Sequence, residues 1–253
     1  MSEKNYHLGL VSVSFRSETP EKIIEATVKS GLGAIEWGSD IHAPFDDEKK
    51  LKKIAKLQKE YGIICSSYGT YFRLGKTPLH ELERYIAAAK VMGTDILRLW
   101  CYDKCRADMT EKEVDELLEE SFLAAEIAKN HDVTLCMECH KKTFTENPDD
   151  AVFLMNEVNS ENFRMYWQPF QWQCAEENII NARKIAPYTK NIHVFNWRAA
   201  EKLPLSDATE DWKKYLKEFS HPCNLLLEFM PNGTIDELST EAESLRKIVG
   251  DRL

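Results

Sequence analysis

Short apolar runs recur eight times along the chain, and each is followed by a longer amphipathic segment. The runs are apolar without strict alternation, which is typical of parallel strands covered on both faces. They occur at residues 8–13, 33–37, 63–67, 95–101, 133–139, 163–168, 191–195 and 224–229. The pattern therefore predicts eight buried strands, each followed by a helix.

Helix-start and helix-stop residues frame the amphipathic segments. Thr19 and Pro20 open the first helix and Gly31 follows its end, while Thr110 and Glu113 form a capping-box pattern at the fourth. The other helices are predicted to begin near residues 46–47, 77–78, 147–148, 174, 208 and 235. These signals agree with the spacing of the apolar runs and predict regular strand–helix alternation.

Eight strand–helix units in 253 residues predict an α/β protein with a single (β/α)8 TIM barrel over residues 1–253. A doubly wound open sheet is the alternative. Such a sheet usually carries a glycine-rich phosphate loop after its first strand. The corresponding segment here, SVSFRSETPEK, lacks that pattern, which favours the barrel.

Composition narrows the class of partner. The formal net charge is −9 and no basic block interrupts the chain, so we expect no nucleic-acid partner. No apolar run reaches the roughly 18 residues that a membrane span needs, and the N-terminus lacks a signal-peptide pattern. We therefore expect a cytoplasmic protein with a small-molecule partner, and the sequence leaves a homo-oligomer open.

The chain contains seven cysteines, an odd number that favours free thiols. Cys101 and Cys105 are four residues apart, and Cys136 and Cys139 are three apart, which invites a zinc interpretation. However, residues three apart in a strand point to opposite faces, whereas zinc sites usually place such pairs on a tight turn. Free thiols are therefore expected.

Four polar residues close four successive strands in the second half of the chain: Glu138, Gln168, His193 and Glu228. In a barrel the carboxyl ends of the strands meet at one rim, where catalytic residues collect. Two carboxylates, an amide oxygen and an imidazole can hold a divalent cation and leave acid/base groups beside it. Read separately, Gln168 could instead bind a substrate hydroxyl, and His193 could be a hydrogen-bonded core residue.

With these residues the chain resembles the xylose isomerase-like TIM barrel superfamily. That group includes sugar and sugar-phosphate isomerases, ketose 3-epimerases, inosose dehydratases and endonuclease IV-type enzymes. The resemblance covers nearly the whole chain. It begins with the Gly-x-x-x-x-Glu form of the second strand, GLGAIEW with Glu36, and ends with the apolar run and Glu228 of the eighth.

The resemblance implies a divalent ion, Mn, Mg, Zn or Co, bound by Glu138, Gln168, His193 and Glu228. It also implies that Glu138 and Glu228 act as the catalytic acid/base pair. The superfamily has Asp where this chain has Gln168, and His where it has Gln171. Losing one carboxylate is expected to weaken the binding of a hard cation.

Aromatic and charged residues near the strand ends suggest a sugar-like ligand, because flat rings suit the apolar faces of sugars. Arg98 lies inside an apolar strand, and we expect it to orient an inner carboxylate such as Glu36 or Glu138. The residues predicted to bind substrate are Glu36, His42, Tyr68, Arg98, Trp100, His140 and Trp197. Candidates for binding a phosphate or carboxylate are Arg16, Arg73, Lys141 and Arg198.

The leading hypothesis is a sugar or sugar-phosphate isomerase or epimerase of carbohydrate metabolism. It would remove a proton next to a carbonyl through an enediolate, with help from a metal ion. One alternative is an inosose dehydratase-like lyase, which uses the same proton abstraction and expels water. Another is a barrel that binds a sugar without turning it over. A DNA-repair nuclease is disfavoured, because the chain is acidic and has few histidines at strand ends.

Overall fold

The computed structural model describes residues 7–250 and closes eight parallel strands into one barrel. The strands found in this range are β1 (Leu8–Val11), β2 (Ala34–Gly38), β3 (Ile64–Leu74), β4 (Ile96–Cys101), β5 (Thr134–Glu138), β6 (Phe163–Trp167), β7 (Thr189–Val194), β8 (Trp197–Arg198), β9 (Glu201–Lys202) and β10 (Asn224–Leu227). All except β8 and β9 belong to the barrel, which closes where β10 pairs with β1. The predicted (β/α)8 fold is confirmed. The predicted domain limits, residues 1 and 253, lie outside the described residues.

Helices follow the barrel strands in the predicted order. They are α1 (Pro20–Lys29), α2 (Glu48–Tyr61), α3 (Leu82–Met92), α4 (Glu111–Asn130), α5 (Pro148–Val158), α6 (Ala175–Ile185), α7 (Thr209–Tyr215) and α8 (Leu238–Val249). Thr19 caps α1 by accepting the Lys22 N–H at 3.3 Å, and the capping box of Thr110 and Glu113 is present at α4. The third and eighth helices begin later than predicted, because short 3-10 turns, Leu79–Glu81 and Ile235–Glu237, precede them. No helix within residues 7–250 is long and apolar enough to cross a membrane.

Side chains alternate between two environments along each barrel strand. Leu225 and Leu227 pack in the main apolar core with the helices, while Leu226 between them belongs to a small cluster inside the barrel with Val11 and Tyr166. This alternation sends the side chains two residues apart to the same side. In each strand, residues an even number of positions from an inward-facing residue such as Leu226 therefore point into the barrel, and we call these positions the inner parity of the strand. The seven cysteines are free thiols, as expected.

A short hairpin interrupts the barrel pattern after β7. Its strands β8 and β9 are antiparallel, and the Ala199 N–H between them donates to the Gln171 carbonyl at 2.9 Å. Ala199 has a φ of 55°, in the left-handed region that tight turns use. The sequence pattern did not predict this hairpin, because strands of two residues carry no periodicity. The hairpin brings Trp197 and Lys202 to the carboxyl-terminal end of the barrel.

Candidate active site

The four residues predicted at the strand ends meet around one imidazole. His193 Nδ1 lies 3.6 Å from Glu138 Oε1, 3.6 Å from Glu228 Oε2 and 3.1 Å from Gln168 Oε1. Ligand atoms of Glu138, His193 and Glu228 all lie within 4.8 Å of one another. Each residue shares the inner parity of its strand, so barrel closure converts a sequence pattern into a cluster. Whether these residues bind a cation or act as catalysts stays a prediction.

The amide of Gln168 is oriented by the backbone. Its Nε2 donates to the Cys139 carbonyl at 3.0 Å, which leaves Oε1 facing His193. Gln168 therefore presents an oxygen to the cluster, as a ligand for a hard cation must. It differs from the Asp of the resembling superfamily in charge, since it offers an oxygen atom without a negative charge.

Glu36 contacts His193 on the side of the imidazole that faces away from the other three residues. The carboxylate Oε2 of Glu36 lies 3.3 Å from His193 Nε2, and both side chains are fully buried. When His193 is neutral, a proton on Nε2 that is donated to Glu36 leaves the lone pair of Nδ1 facing the oxygens of Glu138, Gln168 and Glu228. A carboxylate behind a histidine is the usual arrangement for a metal-ligating imidazole.

Arg98 connects the two inner carboxylates. Its Nε donates to Glu36 Oε1 at 2.8 Å and its Nη1 donates to Glu138 Oε2 at 2.5 Å. The expectation that Arg98 orients Glu36 or Glu138 is met by both. Ser67 Oγ also donates to Glu36 at 2.9 Å, and Trp100 Nε1 donates to Glu138 Oε2 at 2.5 Å.

The two candidate catalytic carboxyls differ in acidity. Burial opposes ionisation of Glu138, but the charges of Arg98 and His193 outweigh it and hold its pKa well below the usual range. Burial also raises the pKa of Glu228, and the charge of Glu138 supports that rise against the attraction of His193, so the pKa reaches about 7. Carboxyls whose pKa values are pushed apart suit opposite roles in proton transfer.

The buried charges fit a divalent cation. When all three carboxyls are ionised and His193 is neutral, Glu36, Glu138 and Glu228 outnumber the single guanidinium of Arg98 by two negative charges. A proton on His193 offsets part of this excess when no cation is bound, since the carboxylates of Glu228 and Glu36 overcome burial and raise the pKa of His193 to about 10. Burial likewise opposes the charge of Glu36, whose pKa His193 and Arg98 lower to about 2. Two carboxylates, an amide oxygen and an imidazole nitrogen, converging in such a field, match the ligands of Mg²⁺, Mn²⁺ or Zn²⁺.

The predicted substrate-binding residues fall into two groups. Trp100 lies beside Glu138, and the His140 ring packs against it with centroids 4.9 Å apart. His140 and Trp197 line a cavity of about 300 Å³ together with Gln168. Glu36 and Arg98 lie beneath these residues and contact the cluster rather than the cavity.

Two predicted substrate residues are not brought into the cluster. Tyr68 has the outer parity of β3, packs in the helix-facing core, and donates its hydroxyl to the Ala43 carbonyl at 2.5 Å. His42 is buried in the segment after β2, with Nδ1 3.1 Å from Ser12 Oγ. Strand alternation for Tyr68, and the path of the connecting segment for His42, direct these side chains elsewhere. Neither is retained as a substrate contact.

Strained backbone marks the rim of the site. Phe229, directly after Glu228, has a φ of 53°, and Tyr102 and Lys142 after β4 and β5 have φ values of 62° and 59°. Bulky residues rarely adopt this conformation, and such strain collects at functional sites. The Phe229 N–H donates to Ser14 Oγ at 2.9 Å, which helps to hold the turn.

Sequence reasoning missed Ser67, Phe229 and Lys202. Ser67 gave a weak signal, because it is a hydroxyl residue within the apolar run of β3. The alternation of side chains along that buried strand would have placed it on the inner face. Phe229 reads as an ordinary apolar residue. Lys202 gave no signal, because the hairpin that carries it was not predicted.

Comparisons with known proteins agree with the barrel fold. The family model described as xylose isomerase-like TIM barrel matches residues 24–246. A 3-dehydroshikimate dehydratase of Bacillus anthracis is 19% identical over 205 residues, which is 77% of this chain and 73% of that relative.

Two solved structures show the same fold. The probable 3-DHS dehydratase AsbF of Bacillus anthracis, involved in petrobactin synthesis, has a TM-score of 0.80 at 16% identity and covers 95% of this chain and 98% of its own. The D-psicose 3-epimerase of Clostridium cellulolyticum H10, solved with D-tagatose, has a TM-score of 0.72 at 12% identity and covers 94% and 96%. One barrel architecture thus serves neighbours named for two different reactions.

Proposed function

The chain belongs to the xylose isomerase-like TIM barrel family, and from this membership we propose that it is an enzyme that removes a proton next to a carbonyl of a small sugar-like substrate. The fold alone does not define a reaction. The observation that carries the proposal is the placement of Glu138 and Glu228 on a shared imidazole, each 3.6 Å from His193 Nδ1. Two carboxyls at one point can take a proton and return one.

Glu138, Gln168, His193 and Glu228 would hold the divalent ion, with Mn, Mg, Zn and Co as candidates. A cation held there would polarise the carbonyl of a bound substrate as a Lewis acid. The four ligand atoms fit this role because each carries a lone pair that a cation can accept and because they face one another. Gln168 does not remove the fit, because the carboxylate of Glu36 already adds a negative charge behind His193.

The protein residues divide the proton transfer between them. Before a cation binds, Glu228 has a pKa of about 7 because of its burial and the nearby Glu138 charge, so it is the carboxyl of the pair that takes up a proton near neutral pH. Arg98 and Trp100 keep Glu138 ionised and bind only its Oε2, which leaves Oε1 directed toward His193. Glu228 is therefore our first choice for the acid/base group, with Glu138 as its negatively charged partner.

Two reaction outcomes share this first step. An isomerase or epimerase returns the proton to the neighbouring carbon or to the other face. A dehydratase instead protonates a leaving hydroxyl, and this outcome is favoured by the sequence similarity to a protein named 3-dehydroshikimate dehydratase. The fold similarity to D-psicose 3-epimerase supports the first outcome. Proton abstraction is the common core of the proposal.

Solvent exchange tests that core. The protein is incubated with Mn²⁺ and a panel of ketoses, sugar phosphates and cyclic keto-polyols in heavy water, and deuterium incorporation and loss of water are followed by NMR and mass spectrometry. We expect exchange with at least one compound. Glu228→Gln and Glu138→Gln should each slow it by about 10²-fold or more, the usual contribution of a positioned acid or base.

Glu241→Gln is the matched control, because Glu241 is also buried but accepts the Leu205 N–H at 3.0 Å, away from the cluster. Unchanged exchange in both site variants would contradict the mechanism. Binding of a sugar without any exchange in the wild type would favour the barrel that binds without turnover.

A further inference from the structure

Two cations at the rim of the cluster lack an acidic partner. Arg73 and Lys202 have no carboxylate oxygen within 4.0 Å among residues 7–250. At the same end of the barrel, Lys76 pairs with Asp103 at 3.2 Å and Lys104 pairs with Glu113 at 2.7 Å. Carboxylates thus neutralise some cations at this end of the barrel, but they do not neutralise Arg73 or Lys202.

Each of these two cations instead rests on aromatic rings. The Arg73 guanidinium carbon lies 4.2 Å from the centre of the Trp100 ring, and Lys202 Nζ lies 4.9 Å from the Phe229 ring and 5.2 Å from the Trp197 ring. An aromatic face holds a cation without neutralising it. The charge and the remaining N–H donors stay available to a ligand.

The rings connect the cations to the candidate catalytic carboxyls. Trp100 donates to Glu138, and Phe229 directly follows Glu228. A single aromatic residue, Trp100, therefore separates Arg73 from Glu138. Another, Phe229, separates Lys202 from Glu228. Trp100 lies in β4 and Phe229 follows β10, so the two cations lie on opposite sides of the barrel.

Further donors line the cavity beside the cluster. Lys141 Nζ lies 5.2 Å from the Trp172 ring, and both residues line the 300 Å³ cavity that Gln168 and Trp197 share. The Trp197 indole N–H is buried and finds no acceptor among the described residues. Unused donors and unpaired cations together complement a group rich in acceptors and negative charge.

We propose that the substrate of the site carries an anionic group, a carboxylate or a phosphate, which either Lys202 or Arg73 recognises at the rim. This inference rests on the proposed function, whose chemistry occurs at the adjacent carboxyls. The net charge of −9 repels anions at long range. A preference for an anionic substrate must therefore come from cations close to the site. Glu138 and Glu228, with the cation that they would hold, would act on the uncharged end of the substrate, where the proton is removed.

Three compounds with one six-carbon polyol chain separate the alternatives: sorbitol, gluconate and sorbitol 6-phosphate. Their binding to the protein is measured by calorimetry, with Mn²⁺ and after chelator treatment, so that a carboxylate held by a metal is recognised as such. We expect at least one anionic compound to bind about tenfold or more tightly than sorbitol, the order that a charge-assisted hydrogen bond contributes. The preferred compound distinguishes carboxylate from phosphate.

Variants assign the preference to the rim. Lys202→Met and Arg73→Met retain an apolar stem and remove the charge, and at least one of them should bring the anionic compounds close to the affinity of sorbitol. Lys52→Met is the control, because Lys52 is exposed on α2 and pairs with Glu48. The wild-type preference should also fall as salt rises, because screening weakens rim charges, and this measurement needs no variant.

Equal binding of all three compounds, absence of binding by both anions, or a preference retained in both variants would overturn the inference. Calorimetry does not depend on turnover. Loss of the anion preference therefore leaves the proton-transfer proposal standing, and absence of solvent exchange in an anion-selective protein identifies the proposed reaction as the part that failed.

Discussion

Glu36 illustrates how a residue's role depends on what lies next to it. Its carboxylate contacts Arg98, Ser67 and His193, and no part of the side chain is exposed. It was predicted to bind substrate, but its complete burial and its bonds to these three side chains favour a supporting role instead. We interpret Glu36 as a positioning residue that selects which nitrogen of His193 faces the candidate cation ligands.

Glu36→Leu should weaken Mn²⁺ binding by about 10- to 100-fold, the usual effect of losing a partner behind a metal ligand. The substitution removes the acceptor for His193 Nε2 and leaves the Arg98 charge without one of its two carboxylates. Glu36→Gln separates the two effects, because it retains an acceptor oxygen and loses only the charge. Mn²⁺ affinity is measured by calorimetry.

Glu241→Leu supplies the matched comparison, since it removes a buried carboxylate far from His193. It should lower the free energy of unfolding without changing Mn²⁺ affinity. If Glu36→Leu folds and binds Mn²⁺ as tightly as the wild type, Glu36 has no positioning role.

At the scale of elements, close approach between neighbouring strands shapes the cluster. β3 passes beside Glu36 of β2 and Arg98 of β4 at Gly69. A Cβ atom at Gly69 would lie 2.8 Å from Glu36 Oε1 and 3.1 Å from Arg98 Nη2. Because Arg98 and Ser67 hold that carboxylate, it has little freedom to move away. The absence of a side chain at Gly69 is thus part of the site.

Gly69→Ala should cost about 1–3 kcal/mol of unfolding free energy, as other overpacked sites do, and should also weaken Mn²⁺ binding. The reason is that Glu36 must shift away from His193 or Arg98 to make room. Urea unfolding and calorimetry give the two quantities. Gly33→Ala is the control, because a Cβ there meets nothing within 4 Å. Equal Mn²⁺ affinity in wild type and Gly69→Ala would show that Glu36 tolerates the displacement.

Helix boundaries were predictable where a local interaction defines them. Thr19, Thr110 and the left-handed Gly62 and Gly93 act within one turn of the chain. The hairpin was not predictable in the same way. Its position depends on the bond from Ala199 to Gln171, a contact between two separate connecting segments. Local signals therefore located the helices, whereas contacts between segments located the rim.

At the scale of the whole molecule, the cluster joins distant parts of the chain. Glu36 and His193 are 157 residues apart in sequence and meet only because the barrel closes. A cation bound by residues from four strands would stabilise the closed barrel relative to the unfolded chain. Metal binding and fold stability should therefore rise together.

Mn²⁺ at about one hundred times its Kd should add about 2.7 kcal/mol to the unfolding free energy. For a domain of this size that amounts to a rise in Tm of roughly 5–10 °C. His193→Gln should abolish the rise because it removes the imidazole at the centre of the donors, whereas Glu241→Gln should retain it. Thermal unfolding followed by circular dichroism measures the shift. A wild-type Tm that does not respond to Mn²⁺, Mg²⁺, Zn²⁺ or Co²⁺ would contradict the proposed cation site.

The fold and the central residues of the site could be predicted from the sequence to different extents. Glu138, Gln168, His193 and Glu228 stood out because polar residues at the ends of apolar strands share one rim in any parallel barrel. Tyr68 was predicted at the site, but its position in β3 directs its side chain into the helix-facing core. Lys202 was missed because no periodic element carries it.

The amino-acid sequence by itself determined the alternation of strands and helices, the number of units, and the set of polar residues at the rim. These features follow from hydrophobic period, caps and chain order, which act over a few residues. Only the tertiary structure decided that Glu36 supports His193, that Arg98 joins Glu36 to Glu138, and that Arg73 and Lys202 lack acidic partners. Such properties depend on distances between atoms remote in sequence, and barrel closure creates those distances.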